Sequence, residues 1–557
     1  QVAQLGAALG REFPYELIRA IWPLDEATLQ DGLTRLVKAE LVYQEGFPPH
    51  ARYSFKHALV QDAAYQSLLK SKRQQIHQQI AQVLEEHFSE TAETHPELLA
   101  HHYTEAGLLA QAIPYWQEAG QRAVRRSAHV EAISHLTKAL ALLRTLPDSP
   151  DRAQHELTLQ LALGSPLMAT KGWGAPEVER AYARARELCQ HLGETPHLFP
   201  VLWGLWGFYV MRAQHDTARQ LADHCFRLAQ RVPDPTFLLG AHVALGLTLA
   251  YMGEFPRARA HLERGLALYD PQQHHSLAAL YGGQDPGVTC LAELAQVLWY
   301  LGYPDQALAR IQEAIALARE LDSPFSVNWA VSNAVWIYYY RGQVRAVHAQ
   351  AEHAMTLAAE HEFPLWLAMA TFLYGWAMAE AGQEAEGITR MRRGLASWRA
   401  TGGELARPTF LALLAATYGK RGQPDEGLTL LAEAFTAVDR SGERLYEAEL
   451  YRLQGELTLQ RLQVSRTKFH VPPTPHSLTS NPHAEAEAYF LRAIEVARRQ
   501  QAKSLELRAA LSLGRLWQRQ GKGEDARHVL AEVYDWFTEG EETADLREAH
   551  ALLAELS

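Results

Sequence analysis

The chain has 557 residues, a formal net charge of −11, and 47% apolar against 21% charged residues. That composition is ordinary for a folded protein and leaves room for several domains or one long array. Its acidity argues against a general phosphate-binding surface, which needs the opposite sign. Cys189, Cys225 and Cys290 stand far apart with no CxxC pair, so they read as reduced core thiols in a cytoplasmic protein, not as a disulfide framework or zinc site. No run of about 18 apolar residues reads as a membrane span.

The chain opens on Gln1, and "QVAQLGAALG" reads as the middle of a longer protein, so a C-terminal piece is expected. "QVAQLGAAL" is a short apolar helix, and "PYELIRAIW" a second, with Pro14 in its first turn. "DEATLQDGLTRLVKAE" is a third, with an acidic start and Leu29, Leu33 and Leu36 on one face. "LVYQEG" and "ARYSF" alternate like strands around the turn "EGFPPHA". Three helices and a two-stranded wing predict a winged helix over residues 1–70.

From about Ser71 the strand signal ends and amphipathic helices follow one another, which calls for a search for internal repeats. Turn glycines supply the period. Gly253, Gly302, Gly342, Gly382, Gly422 and Gly521 are spaced by 49, 40, 40, 40 and 99 residues, and Ala213 stands 40 before Gly253. The surpluses of nine and nineteen fall in the stretches near 270–287 and 463–483, where Pro, Gly, Ser and Thr predict loop insertions. Small residues recur seven before, five after and twelve after these turns: Gly246, Ala258 and Gly265; Ala295, Ala307 and Ala314; Gly375, Gly387 and Gly394. Two helices approach closely only where side chains are small, so this is the packing rule of a helix-pair repeat. It resembles the tetratricopeptide repeat. The expected fold is mostly α, a winged helix followed by a tetratricopeptide-like α-solenoid over 71–557.

Catalytic motifs are missing. There is no P-loop, no G-x-S-x-G elbow and no H-E-x-x-H. No catalytic or metal-ligating residue is assigned. The neighbours His101-His102 and His274-His275 point about 100° apart on a helix, poor geometry for one metal, and read as solvated or hydrogen-bonded histidines. "GGQDPG" (Gly282 to Gly287) reads as a turn that ends the nine-residue insertion and caps the next helix, with a ligand loop as the alternative. Most tryptophans read as repeat core, with a few lining the inner groove as partner anchors. Arg390, Arg392, Arg393 and Arg399 read as a solvated basic stripe, with an acidic partner segment as the sharper alternative.

Several stretches together, including "LDEATLQDGLTRLVKAELVYQ", "YSFKHALVQDAAYQSLL", "LLAHHYTEAG" and "ELTLQLALGSPLMATKGWGAPEV", resemble the C-terminal part of a bacterial adenylate/guanylate cyclase–AAA/STAND ATPase–tetratricopeptide family. The resemblance implies upstream cyclase and NTPase domains that hold ATP or ADP and Mg, while this chain carries no cofactor and no enzyme activity of its own. It implies a regulatory sensor region, with a protein or peptide partner or a small ligand on the concave repeat surface. Membrane and DNA are not expected partners. By the same resemblance His57, in "FKHAL" at the start of the helix after the wing, contacts the diphosphate of the upstream NTPase, although Ala58 replaces the family's acidic residue. A structural reading of His57, as a helix cap or a bond to a backbone carbonyl, stays open beside it. So do two other functions: a STAND-type transcription regulator of the maltose-activator kind, and a stand-alone repeat scaffold.

Overall fold

The computed structural model describes residues 1–193, 196–232, 234–275, 282–469 and 481–557. It divides into two compact units, Gln1–Leu163 and Gly164–Ser557.

The first unit opens with α1 (Val2–Leu9), β1 (Glu12–Pro14), α2 (Tyr15–Ile21), α3 (Glu26–Lys38), β2 (Val42–Glu45), β3 (Arg52–Phe55) and α4 (Ala58–Gln66). Asp25 starts α3 by accepting the Thr28 N–H on its side chain at 3.0 Å, an N-cap that satisfies one orphan donor. The face thus set carries Leu29 and Leu33 into the core. The sheet has three strands where a two-stranded wing was expected. Its antiparallel order is β1-β3-β2, with Phe13 opposite Tyr53 and their rings stacked at 5.8 Å. Three residues that end in proline carry no alternation to read, yet burial of the Phe13 ring fixes them to the sheet, and an edge strand tolerates Pro14. Next come α5 (Lys70–His87), α6 (Ser89–Thr94) and α7 (Pro96–Ala106), then the pair Leu109–Arg125 and His129–Leu143. No strand lies beyond Phe55 among the described residues.

The second unit is a tetratricopeptide-like array of helix pairs, among them Pro286–Tyr300 with Pro304–Glu320, Pro324–Tyr340 with Val344–Glu360, and Pro364–Glu380 with Glu384–Ala400. The turn within each pair holds a left-handed residue at the expected place: Gly302, Gly342, Gly382 and Gly422, and Ala213 with φ of 53°. The small-residue rule is physical. A Cβ on Gly375 would come within 2.8 Å of the Gly387 carbonyl oxygen, and one on Gly387 within 2.5 Å of the Gly375 oxygen. First helices of the pairs are buried nearly all round, as in Leu239–Ala250, while second helices bury one stripe, as in Ala307, Ile311, Ala314 and Ala318.

Both insertions can be placed in part. The first contains the short helix Pro271–His274, with residues 276–281 outside the described residues. "GGQDPG" ends as a cap, since the Asp285 carboxylate accepts the N–H groups of Gly287 and Val288. In the second, the expectation of loop from Gln463 is corrected, because the helix Glu447–Phe469 runs through it. Propagation of a formed helix is cheap, and one Ser and one Thr do not stop it. Residues 470–480 lie outside the described residues, and Asn481 caps the next helix, Pro482–Gln500.

The array closes on itself. The Met211 carbonyl accepts N–H bonds from Glu404 and Leu405, and the Tyr251 carbonyl accepts them from Arg444 and Leu445. Ser504 donates its hydroxyl to the Trp299 carbonyl, and Ala544 its N–H to the Arg341 carbonyl. Each partner lies about five 40-residue steps further along, so successive superhelical turns are stitched at the C-terminal ends of the first helices, where carbonyls lack intrahelical partners.

Candidate functional site

A 40-residue step places equivalent residues of neighbouring first helices at the same height. Tyr300 and Tyr340, 40 apart, share a hydroxyl–hydroxyl bond of 2.9 Å. Trp299 stacks on Tyr340 at 4.2 Å, and Trp329 meets Trp366 edge-on at 4.8 Å. The sequence thus builds an aromatic wall along the inside of the array.

Within that wall lies a cavity of about 50 Å³. Its lining includes Glu293, Trp329, Trp336, Tyr340, Trp366 and Trp398. Glu293 is 5% exposed and makes no hydrogen bond to any described residue. Burial pushes its carboxyl up to about 8. The other polar groups around the cavity fall into two sets. Gln296 donates to the Asn333 side-chain oxygen at 2.6 Å, and the Trp336 indole donates to the Met369 sulfur at 3.2 Å. In contrast, the indole N–H groups of Trp329 and Trp398 and the Thr409 hydroxyl are buried without a partner among the described residues. Buried polar groups are normally satisfied. An unpaired acid in a cavity lined by tryptophans is an arrangement that attracts an organic cation, whose charge would both ionise the acid and sit against the rings.

The cavity touches the closure seam. Met211, Tyr251, Leu405 and Leu445, whose backbones make the turn-to-turn bonds, all line it. Beyond it sits a half-buried ion network. Arg508 pairs with Asp545 at 2.7 Å and lies 4.8 Å over the Trp299 ring, and Glu449 pairs with Arg452 at 2.7 Å. Burial would raise the Glu449 carboxyl, but Arg452 and Arg508 outweigh it and hold the group below the usual carboxylate range.

His57 stands at the N-cap of α4, exposed, and its side chain makes no capping bond. Of the arginine stripe, Arg390 lies over the Tyr374 ring, Arg392 donates to the Tyr418 hydroxyl, and Arg399 pairs with Glu404. His274 accepts the Asp270 N–H, and His275 faces the Asp285 carboxylate at 3.5 Å. Trp329, Trp336 and Trp366 line the cavity, whereas Trp203 and Trp206 are core. Sequence reading missed Glu293. The signal was present: it is the sole charged residue between Pro286 and Tyr300.

No family model matches the chain. It is 25% identical over 461 residues, 82% of its length, to an uncharacterized protein of Rhizobium meliloti (strain 1021), and spans 44% of that protein. Among solved structures it superposes on a Rap protein complexed with Competence and Sporulation Factor with a TM-score of 0.51 at 13% identity, covering 70% of this chain and 99% of that one. A looser superposition, TM-score 0.35 at 12% identity over 100% of this chain and 65% of the other, is with a STAND protein with a tetratricopeptide repeat sensor from Pyrococcus horikoshii. The fold shared with the Rap protein is the tetratricopeptide-like α-solenoid.

Proposed function

We propose that this chain is a sensor and interaction region of a larger signalling protein, and that its array takes a cationic group of a peptide or small partner against Glu293. One observation carries the reading: a buried, unpaired carboxyl faces an aromatic cavity whose lining also forms the closure seam. A small cationic head group fits the space, and anything larger spreads the seam, so occupancy is converted into a change in how the superhelical turns are stitched. That is the differential interaction a switch requires. The Rap protein that shares this fold is complexed with Competence and Sporulation Factor, which is consistent with an array that takes a partner.

The test is calorimetric titration of the chain with tetramethylammonium, choline and a short arginine-containing peptide. At pH 7 binding should release close to one proton, because Glu293 must ionise to meet the charge. Glu293→Gln should abolish the release and weaken binding at least tenfold, since a charge-assisted contact contributes about 1.5–3 kcal/mol and ~1.4 kcal/mol is a decade. If none of the probes binds the wild type, or Glu293→Gln binds equally well, the reading fails.

The finer reading places a STAND-type NTPase, and a nucleotide cyclase before it, upstream, with catalysis there and residues 1–70 as the winged helix that reports to it. The observation favouring it is local. Helix α4 buries none of its residues, Leu59 is 80% exposed, and the neighbouring His57 ring has no capping bond. In the full-length protein His57→Ala should loosen ADP about tenfold and raise basal output. Unchanged ADP affinity and output would remove His57 from the switch.

A further inference from the structure

The first unit contains a second polar cluster, independent of the cavity. His77 on α5 and the neighbours His101 and His102 on α7 bring three ring nitrogens together, all within 4.8 Å of one another. His77 Nδ1 faces His102 Nδ1 at 2.8 Å. On its far side His77 Nε2 lies 2.9 Å from the Tyr65 hydroxyl, which in turn donates to a Glu105 carboxylate oxygen at 3.4 Å. His77 and His102 are buried and His101 is exposed.

We infer that His77, His101 and His102 form a binding site for a zinc-class divalent transition metal ion, one that clamps α4, α5 and α7 together. Three observations carry this. First, a set of three imidazoles with an exposed fourth side suits tetrahedral zinc, which takes neutral nitrogen ligands at about 2.0–2.1 Å. Opening the His77–His102 contact by about half an ångström reaches the spacing that such bonds require. Second, the relay from His77 Nε2 through Tyr65 to Glu105 is an outer shell of the kind that fixes a ligating histidine's tautomer, holding the proton on Nε2 and leaving the Nδ1 lone pair for the metal. Third, both buried rings face each other through Nδ1, an arrangement that two neutral imidazoles satisfy with only one proton between them, whereas a cation satisfies both lone pairs and the third ring as well. The fourth position falls to water or to Glu105, one turn beyond His101 on the same helix.

Adjacent residues were expected to diverge, and their backbones do. The rings converge because histidine has two rotatable side-chain bonds, and because the third ligand arrives from α5, which packs beside α7.

The test uses the untagged full chain, stripped with chelator and titrated with Co²⁺ alone, then Zn²⁺ in competition. One equivalent of Co²⁺ should bind with the intense visible bands of a tetrahedral nitrogen site, and Zn²⁺ should displace it and raise the melting temperature. His101→Ala alters an exposed residue, so the fold should survive, and affinity should fall by well over tenfold. Tyr65→Phe removes only the outer-shell partner and should cost about 10–100-fold. Weak binding without tetrahedral bands overturns the site. So does equal binding by His101→Ala, which would leave the His77–His102 contact a plain hydrogen bond and the bound metal adventitious among the chain's 26 histidines.

Discussion

The first seventy residues and the repeat array treat their apolar side chains in opposite ways. Of the ten large apolar side chains left exposed among the described residues, six lie in the first seventy: Leu24, Leu41, Tyr43, Phe47, Leu59 and Leu69. In the array, first helices are buried nearly all round, and even tryptophans such as Trp299 and Trp336 are covered. A repeat covers its neighbour, so faces in the array interior find a partner within the chain. The opening elements have only one sheet and a few short helices to cover them, and they leave apolar surface for something else. The array thus encloses its apolar surface, and the opening region leaves part of its own bare.

The sharpest way to break the comparison is to fill an enclosed contact. Gly387→Val places a side chain where a Cβ already meets the Gly375 oxygen and the Ala379 backbone, with no flexible neighbour to yield. Overpacking of this kind costs about 3 kcal/mol or more. Urea unfolding should show the loss, and a change within 0.5 kcal/mol would mean that the pair is far looser than described.

Next in size is Glu293. Its folded carboxyl is raised from 4.5 to about 8, so the folded state holds a proton that the unfolded state gives up. The associated stability is fully present below about pH 4.5, and it is lost as pH rises through about 8. Relative to Glu293→Gln, the wild type should therefore weaken between pH 5 and pH 9 by a few kcal/mol, on the order of 1.4 per unit. Parallel melting curves for the two proteins across that range would show that the carboxyl is not buried unpaired. A stabilising Glu293→Gln that also loses ligand binding would mark an acid kept for function at the expense of the fold.

Smaller again is Ala213. Its left-handed φ of 53° is a conformation that costs a residue with a Cβ about 1–2 kcal/mol. Ala213→Gly relieves that strain, and part of the gain is returned because glycine loses more chain entropy on folding. A net gain of about 0.5–1 kcal/mol is expected, read as a rise in melting temperature.

These turns also show what was legible in the sequence. The array could be counted because the turn inside each pair needs a left-handed residue and usually receives glycine. The turn between pairs follows the same period, with positive φ at Asp322, Glu362, Gly402 and Gly442, and then at Gln501 after the same nineteen-residue surplus. Asp, Glu and Gln do not announce that conformation, so three of these five turns were silent. β1 was silent because three residues cannot show alternation. The helix through Gln463 was misread because composition speaks for loop, whereas continuation of an existing helix depends on what precedes it. The wall tryptophans were visible as apolar faces, but which of them look into a cavity depends on superhelical closure over about five repeats, and no local pattern encodes that. His77 and His102 stand 25 residues apart on different helices, so only the packing of α5 on α7 makes them a pair.

The smallest effect belongs to the bare region, and there its smallness is the point. Leu59 is 80% exposed on a helix whose other face is half-buried, and His57 beside it makes no capping bond. In this chain Leu59→Ser removes no contact and should change stability by less than about 0.5 kcal/mol, as surface substitutions away from special features do. In the full-length protein the same change should matter, because burying a leucine side chain against a partner is worth about 1.5–3 kcal/mol. If residues 1–70 dock on an upstream NTPase, Leu59→Ser should raise basal output as His57→Ala does, and the double variant should add little, because both substitutions release one contact. A marked drop in the melting temperature of this chain alone would show instead that the Leu59 side chain is packed within the first unit, and the contrast between an enclosed array and a bare opening region would no longer hold.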